Sequence, residues 1–356
     1  MNEIRLSIIL PCYNVENYIS ECFDSLFAQD ISENEFEIIC VNDCSTDLTR
    51  EIILEYQKQH KNIVLIDNQV NKQQGETRNI GLRSAKGKYI WFIDSDDFIE
   101  KNCFASLLNI MEVNELEVLN FEMKRFFQWE IPEKQFIPFF PFDKTEIISG
   151  KNFLISLNDF SANGAPVRRI YKKSYLIINN FNFTQTGYNE DQIFSLKTVY
   201  FAEKFKHIKQ NVYFYRANPT STQNTAMNVE KYFSLFVVAT ELIDFQHNIE
   251  KIDLDFSKKI RNKAFEYLNA ASDGIFFFDC KKRKKLAKLL KPYLPEIQYN
   301  NYFSGIKKLY FIHFNFSNKI LYIASPVLRL FRNSKIYLKN IIKNLKLTIK
   351  RITLQK

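Results

Sequence analysis

The sequence of 356 residues contains only 8 glycines and has no glycine-rich loop of the kind that binds nucleotides through backbone amides. A dinucleotide-binding fold would show GxGxxG after its first strand, and a P-loop protein would show GxxxxGK followed by Ser or Thr. At that place this chain has Pro11-Cys12-Tyr13-Asn14. If phosphates bind here, their charge must be met by side chains or by a metal ion.

Two further absences limit the class of protein. No run of about 18 apolar residues is present, and Met1 to Arg5 lack the basic and apolar regions of a signal peptide. The six cysteines form no CxxC pair, which is typical of buried, reduced thiols. We therefore expect a cytoplasmic protein without a membrane-spanning helix.

Basic and acidic residues are distributed unevenly along the chain. The formal net charge is +9, but 19 of the 49 Lys and Arg residues, and only one of the 40 acidic residues, lie from Lys281 onward. The first 280 residues therefore carry a net charge of about −9, and the rest about +18. We expect an anionic lipid surface, and no nucleic acid, as the partner of this basic region, because the chain has no recognised nucleic-acid-binding module.

The residues from Val229 to about Phe278 have the apolar spacing of a helix. A second helical pattern, with apolar and basic residues on different faces, occurs near the end of the sequence. In Ser334–Leu354, apolar residues recur at spacings of three and four with lysines between them. Such a helix lies on an anionic bilayer, or it packs against the rest of the chain or a partner helix. The first alternative predicts a peripheral protein at the inner face of the cell membrane.

Short apolar runs alternate with helical patterns over the first hundred residues. We expect strands at Leu6–Leu10, Phe36–Val41, Ile63–Ile66 and from Tyr89, with helices at about residues 18–28, 47–59 and 75–85. Pro11 is expected to stop the first strand. This alternation predicts an α/β fold with a Rossmann-like, mostly parallel sheet flanked by helices.

The apolar run from Tyr89 ends in three carboxylates within four residues, Asp94, Asp96 and Asp97. Neighbouring carboxylates repel one another, and each costs free energy to desolvate unless a cation is present. Ligands of open α/β sheets bind beyond the carboxyl ends of the strands, so a divalent metal ion with an anion on its far side explains the cluster. The alternative is a polar loop in which Asp97 caps a helix that begins at Phe98.

Four motifs follow one another along the chain: Pro11-x-Tyr13-Asn14, Val41-Asn42-Asp43-x-Ser45-Thr46-Asp47, Gly75-x-x-Arg78-Asn79-x-Gly81, and Gly87-x-Tyr89-Ile90-x-Phe92-Ile93-Asp94-Ser95-Asp96-Asp97. In their order and spacing they resemble the motifs of the family 2 glycosyltransferases. The family usually has Gly where Cys44 stands. The resemblance is strong over about the first 100 residues and looser to about residue 225. It implies a GT-A fold, inverting transfer from a nucleotide sugar, and Mg²⁺ or Mn²⁺ as cofactor.

The resemblance also implies roles for particular residues. The donor nucleotide sugar would contact Pro11, Tyr13, Asn14, Asp43, Arg78, Asp94, Ser95 and Arg216. Asp43 would accept a hydrogen bond from uracil N3–H, and Arg78 would lie near the phosphates. Asp96, with Asp94, would hold the metal ion in a DXD motif. Each also has an ordinary structural interpretation, such as a turn residue for Asp43, a solvated helix face for Arg78 and an ion pair for Arg216.

The stretch Gly187–Phe194 carries the two acids expected to be catalytic, Glu190 and Asp191. By resemblance they form the family's ED motif, with Asp191 as the general base that takes the proton of the acceptor hydroxyl. A helix-end carboxylate with a pKa near its normal value would be ionised at neutral pH. The alternative is a capping box, in which Asn189 caps the helix and Gln192 lies three residues further on.

We therefore expect a catalytic domain over residues 1–225, with a nucleotide-binding half at 1–100 and an acceptor half at 101–225. A helical region at 226–356 would follow and end in the basic tail. The expected reaction moves a sugar from a UDP-sugar to a hydroxyl of a glycan or lipid-linked acceptor in surface-polysaccharide synthesis. A sugar nucleotidyltransferase is one alternative, although it should carry a GxGxR loop. A non-catalytic nucleotide-sugar or membrane-binding module is another, although Asp94, Asp96 and Asp191 count against it.

Overall fold

We describe the protein from a computed structural model, in which the described residues are 3–126, 146–157, 164–217, 227–275, 278 and 280–290. They fall into two compact units, one within Met1–Ala226 and the other within Met227–Lys356. The amphipathic tail expected at Ser334–Leu354 lies outside the described residues.

The described part of the first unit forms an eight-stranded sheet flanked by helices. Its strands are β1 (Leu6–Cys12), β2 (Phe36–Asn42), β3 (Ile63–Asp67), β4 (Tyr89–Phe92), β5 (Phe98–Ile99), β6 (Val118–Phe126), β7 (Arg169–Lys172) and β8 (Phe205–Arg216). Its helices are α1 (Ile19–Phe27), α2 (Thr49–Gln59), α3 (Gln73–Ser84), α4 (Phe104–Val113), α5 (Gly150–Ser156), α6 (Lys173–Ile178) and α7 (Glu190–Tyr200). The predicted alternation of strands and helices over the first hundred residues is confirmed.

The strand order is β3-β2-β1-β4-β7-β6-β8-β5. The first four strands in this order are parallel, as are β6 and β8, whereas β7 is antiparallel to β4 and β6, and β5 is antiparallel to β8. The sheet is therefore mixed but mostly parallel, as expected for an α/β fold. Because β2 and β4 lie on opposite sides of β1, the strand order reverses there, and ligands of α/β sheets bind at such a switch point.

Pro11 does not stop the first strand, contrary to expectation. β1 continues to Cys12, and Pro11 is in register with Val41 of β2. The backbone carbonyl of Ile9 accepts the Ile93 amide, so the backbone N–H and C=O of Ile9 face the β4 side. Pro11 is two residues further along the strand, so its backbone nitrogen and carbonyl face the same side. The β1–β4 ladder ends at Ile9, so the missing Pro11 N–H costs no ladder hydrogen bond.

The alternative in which Asp97 caps a helix beginning at Phe98 is wrong. Residues Phe98–Ile99 form β5, which pairs with β8, and the next helix, α4, begins only at Phe104. The carboxylate of Asp97 is used elsewhere: it accepts hydrogen bonds from Tyr213 and from the backbone amide of Arg216. Pairing with a strand more than a hundred residues away determines this local structure, and a local pattern cannot show such a partner.

The second unit is helical in its described residues, as the pattern from Val229 predicted. It contains α8 (Val229–Glu250), α9 (Leu254–Ile275) and α10 (Cys280–Leu290). The Asn228 side chain accepts the Lys231 amide and caps α8. Buried residues of α9 recur at spacings of three and four, namely Phe256, Ile260, Ala264, Leu268 and Ala271. In the part of the chain that the structure describes, no helix is both long and apolar enough to cross a membrane.

Candidate active site

Asp94 lies directly beyond the end of β4 and is held on both its backbone and its carboxylate. Its amide donates to the hydroxyl oxygen of Tyr213 at 3.1 Å. Its Oδ1 accepts hydrogen bonds from Gln74 Nε2 at 3.0 Å and from Arg78 Nη2 at 2.7 Å. These contacts fix the carboxylate at the switch point of the sheet, where the sequence predicted it.

Asp96 is the second acid of the predicted metal pair. Burial, and then the negative charge of Asp94, raise the pKa of Asp96 to about 6, although Arg216 and Arg78 act in the opposite direction. A carboxylate whose ionisation is opposed by a neighbouring carboxylate is stabilised when a cation binds between them. Asp94 and Asp96 therefore have the charge arrangement of a cation site.

The donor set at this place fits a divalent metal shared with a substrate. Among the described residues, no group of three or more His, Cys, Asp or Glu is arranged to hold a metal ion. Mg²⁺ is commonly bound by one or two carboxylates together with substrate phosphates, and not by a cage of protein ligands alone. Two adjacent carboxylates, with the pKa of Asp96 raised, match that type of site.

Asp97, the third acid of the cluster, has a different position from the other two. Its Oδ2 accepts the Tyr213 hydroxyl at 2.5 Å and its Oδ1 accepts the Arg216 amide at 2.7 Å. The side chain is buried, and burial together with Asp96 and Asp94 raises the pKa of Asp97 well above its usual range. Asp97 thus joins the acid loop to β8, a role that the sequence pattern did not distinguish from metal binding.

Arg216 supports the same loop from the end of β8. Its Nε donates to the Asp96 carbonyl at 2.9 Å, and its Nη2 pairs with Glu21 of α1. The guanidinium lies 5.3–5.5 Å from the ring centroids of Tyr18, Phe98 and Phe126. The structural alternative for Arg216, an ion pair with a carboxylate, is therefore present, and the expected contact with the donor stays a prediction.

Asp43 lies at the end of β2 and organises the start of α3. Its Oδ1 accepts hydrogen bonds from Asn68 Nδ2 and from the Lys72 amide, both at 2.8 Å. Its Oδ2 accepts the Gln73 amide at 2.9 Å. With three of about four acceptor positions used, one remains for a ligand such as an imide N–H. The structural interpretation of Asp43 as a turn residue is therefore correct, and base recognition stays a prediction.

The remaining residues expected at the nucleotide are Tyr13 and Asn14, which follow β1, and Ser95, which follows β4. Tyr13 is half exposed at the end of β1, which suits a side chain that lines a base. Asn14 Oδ1 accepts the Thr46 amide at 2.8 Å, so the loop after β1 is bonded to the loop after β2. The buried Ser95 hydroxyl donates to the Pro11 carbonyl at 2.8 Å, so it joins the ends of β1 and β4.

The backbone at Cys44 has a conformation that favours glycine, the residue usual there in the family that the sequence resembles. Its φ angle is 65°, in the left-handed region that residues other than glycine adopt at a cost. The side chain is exposed and its thiol is free, so the residue is accommodated without a packing partner being displaced.

Arg78 connects the acid loop to the predicted catalytic helix. Besides its bond to Asp94, its Nη1 donates to Glu190 Oε1 at 3.0 Å. Burial opposes its charge, but Asp94 and Glu190 outweigh that effect and raise the pKa of Arg78 above its usual value. The interpretation of Arg78 as a solvated helix face is therefore wrong, because the side chain is buried and pairs with two carboxylates.

The motif around Gly75 is explained by the segment that lies on α3. A Cβ atom on Gly75 would come 2.4 Å from the Thr184 carbonyl oxygen, so only glycine permits this approach. The Asn79 side chain donates to the Phe183 carbonyl at 2.9 Å and accepts the Phe183 amide at 2.8 Å. The resemblance placed this motif beside the nucleotide, whereas the structure shows that it also positions the chain leading to Glu190.

Asp191 is in the first turn of α7, next to Glu190, and its acidity differs from our expectation. Burial, and then the charge of Glu190, raise the pKa of Asp191 to about 7 instead of leaving it near normal. The capping-box alternative is also wrong, because Asn189 has a φ of 59° and its side chain makes no capping hydrogen bond. A carboxylate with a pKa near 7 is a stronger base than one with a normal pKa and is still partly ionised at neutral pH, which suits a general base.

Arg78 joins the acid loop beyond β4 to Glu190 at the start of α7, where Asp191 also lies. Residues 7–174 match the family described as Glycosyl transferase family 2. The match covers just under half of the chain, so this region is similar to that family.

Individual relatives agree with this similarity. The chain is 31% identical over 214 residues to a poly(ribitol-phosphate) beta-glucosyltransferase of Bacillus spizizenii, which covers 60% of this chain and 32% of that protein. It is 30% identical over 214 residues to the poly(ribitol-phosphate) beta-N-acetylglucosaminyltransferase TarS of Staphylococcus aureus, which covers 60% and 35%. The matched region thus spans about a third of the length of these two relatives.

A solved structure shows the fold. The crystal structure of residues 1–349 of S. aureus TarS in complex with UDP-GlcNAc aligns with a TM-score of 0.56 and 23% identity, and covers 79% of this chain and 83% of that one. The expected GT-A fold is confirmed.

Proposed function

We propose that the protein is a metal-dependent, inverting glycosyltransferase that moves a sugar from a UDP-sugar to an acceptor hydroxyl. One observation carries this proposal: Arg78 pairs with both Asp94 and Glu190, so the acid loop and the helix that bears Asp191 border one site. Inversion needs a base on the face of the sugar opposite the leaving diphosphate. The sheet edge and the start of α7 supply groups for the two sides.

Each group has a proposed task. Asp96, with Asp94, would hold Mg²⁺ or Mn²⁺, which supplies positive charge to the departing diphosphate. Asp191 takes the proton of the acceptor hydroxyl as the oxygen attacks the anomeric carbon. Asp43, with Pro11 and Tyr13, receives the nucleobase. Arg216, Ser95 and Asn14 are proposed to support the donor through the loops that they join.

A UDP-sugar is the donor that the observations favour. Asp43 retains acceptor capacity for an imide N–H, which uracil has. The structure of the TarS relative was solved with UDP-GlcNAc, and that relative is by name an N-acetylglucosaminyltransferase. These names support UDP-sugars as the donor class.

The acceptor is proposed to be a hydroxyl of a glycan or lipid-linked polymer in surface-polysaccharide synthesis. The two relatives are named for transfer to poly(ribitol-phosphate), a hydroxyl-rich anionic polymer. We propose catalysis by residues 1–225, with the nucleotide at 1–100 and the acceptor at 101–225. We also propose that the basic tail, outside the described residues, attaches the protein to the inner face of the cell membrane.

A donor panel tests this proposal. The full chain is incubated with UDP-, GDP- and dTDP-sugars, with Mg²⁺, Mn²⁺ or a chelator, and release of free nucleotide is measured. We expect metal-dependent UDP release from at least one UDP-sugar, and loss of that release in Asp96→Asn. UDP binding in calorimetry without turnover of any donor would instead favour a non-catalytic binding module.

A further inference from the structure

Arg78 is fixed by groups from three separate segments of the first unit. Its Nη2 and Nη1 donate to Asp94 at 2.7 Å and to Glu190 at 3.0 Å. Its guanidinium carbon lies 5.2 Å from the ring centroid of Phe183, and the side chain is only 3% exposed. Both Nη groups are therefore engaged with carboxylates of the protein itself.

Glu190 is as enclosed as its partner. Its side chain is 5% exposed, and its Cγ would lie 3.0 Å from a Cβ on Gly75. Consecutive residues of a helix point about 100° apart, so the pairing of Glu190 with Arg78 leaves Asp191 in a different direction. Asp191 is only partly buried. The two acids of the pair therefore have unequal access to a substrate.

We propose that Arg78 is a positioning residue that joins Asp94 to Glu190, and that Glu190 acts only through Arg78. The bridge fixes the distance between the donor end of β4 and the first turn of α7, where Asp191 lies. Its effect on catalysis rests on the proposed function, whereas the ion pairs themselves do not. Errors of about 1 Å in such a distance can cost about a hundredfold in rate.

The chemistry of the bridge requires arginine. Its planar guanidinium presents two Nη groups to two carboxylates at once, whereas the single ammonium of lysine is a point charge on a flexible stem. Removing either partner of a buried ion pair leaves an uncompensated charge, while removing both avoids that penalty. The bridge therefore predicts strong coupling between positions 78 and 190.

A double-mutant cycle on the full chain tests the proposal. We would compare wild type, Arg78→Met, Glu190→Gln and the double variant, measuring kcat and donor KM with the best UDP-sugar. We expect each single variant to lose about 10–100-fold in kcat with less than about a threefold change in KM, and the double variant to be no slower than the slower single. Arg78→Lys should not restore kcat.

Other outcomes would overturn the proposal. A further loss of about tenfold from Glu190→Gln in the Arg78→Met background would mean that Glu190 contacts a substrate. A main effect of Arg78→Met on donor KM or UDP affinity would mean that Arg78 binds the donor phosphates. Arg83→Met is the matched control, because Arg83 lies on α3 and pairs with Glu76 at the surface; it should leave both constants unchanged.

Thermal unfolding of the same four proteins separates this inference from the proposed function. If no donor is turned over, the proposed function fails. The Arg78–Glu190 bridge is then tested by the unfolding free energies of the four proteins. A double variant that is at least as stable as the less stable single supports the bridge. Additive losses from the two substitutions contradict it.

Discussion

The hydroxyl of Tyr213 on β8 donates to Asp97 at 2.5 Å and accepts the Asp94 amide at 3.1 Å. The Tyr213 hydroxyl thus links Asp94 and Asp97, the first and last acids of the loop. Burial and the charge of Asp97 raise the pKa of Tyr213 well above its usual range, so the hydroxyl keeps its proton. Tyr213 therefore determines where the backbone of Asp94 lies.

Replacing Tyr213 by Phe should disturb this loop without removing a ring from the core. The buried Asp97 side chain would lose one of its two donors and keep the Arg216 amide, so we expect a loss of about 1–3 kcal/mol in the free energy of unfolding. We also expect kcat to fall by about tenfold, because Asp94 would be less well fixed. Tyr56→Phe is the control, since it removes a similar bond to Asp24 on α1. Equal kcat in Tyr213→Phe and wild type would contradict this role.

Gly75→Ala should be harmful although alanine favours helices. Its Cβ would lie 2.4 Å from a backbone oxygen, which cannot rotate away. We expect a loss of about 1–3 kcal/mol in stability, greater than the gain of about 1 kcal/mol in helix propensity. Gly187→Ala is the matched control, because its Cβ would meet only the Gln73 side chain at 3.0 Å. Differential scanning calorimetry should rank the control close to wild type, and the reverse ranking would refute the explanation.

Much of the fold was predictable because its strands are short, apolar and separated by clear helices. The four motifs gave the family, and the run from Tyr89 into Asp94 located the acid cluster. Asp94 and Asp96 are only two residues apart in sequence, so their proximity needed no knowledge of the fold. The pairing of Asp94 with Arg78, 16 residues away, could not be inferred from spacing alone.

Errors arose where distant segments determine the local structure. Pro11 stays within β1 because its nitrogen faces β4, and the β1–β4 pairing has already ended at Ile9. Asn189 adopts a left-handed conformation, and burial changes the acidity of Asp191. Tyr213 donates to Asp97 across 116 residues of sequence, and no local pattern links the two. These facts depend on tertiary contacts, which the order of residues does not show.

The raised pKa of Asp191 predicts a pH profile. Below about pH 7 the carboxyl is protonated and cannot accept the acceptor proton, so kcat/KM should fall about tenfold per pH unit. Because folding raises the pKa of Asp191 from its ordinary value of about 4 to about 7, its ionisation should destabilise wild type as the pH rises from about 4 to about 7, with no further loss above that. Asp191→Asn should lose less stability over this range, because only Asp96 and other buried acids still titrate there. An activity limb near pH 4, the ordinary range of a carboxyl, would contradict the assignment.

Cys44→Gly should stabilise the protein by about 0.5–1 kcal/mol. The left-handed φ of 65° strains any residue with a Cβ, whereas glycine adopts it freely, and its greater freedom in the unfolded chain offsets part of the gain. Cys44→Ala keeps the strain and should stay within about 0.5 kcal/mol of wild type. Chemical denaturation would reveal the difference, and equal midpoints for the two variants would argue against strain at this turn.

The most direct test of the central claim is the turnover of the best UDP-sugar by Asp191→Asn under conditions where UDP affinity is matched to wild type. The asparagine keeps the shape of the side chain but cannot take a proton. We predict a loss of at least about a hundredfold in kcat with UDP binding retained. Turnover within about twofold of wild type would contradict the assignment of Asp191 as the base, and with it the proposed mechanism.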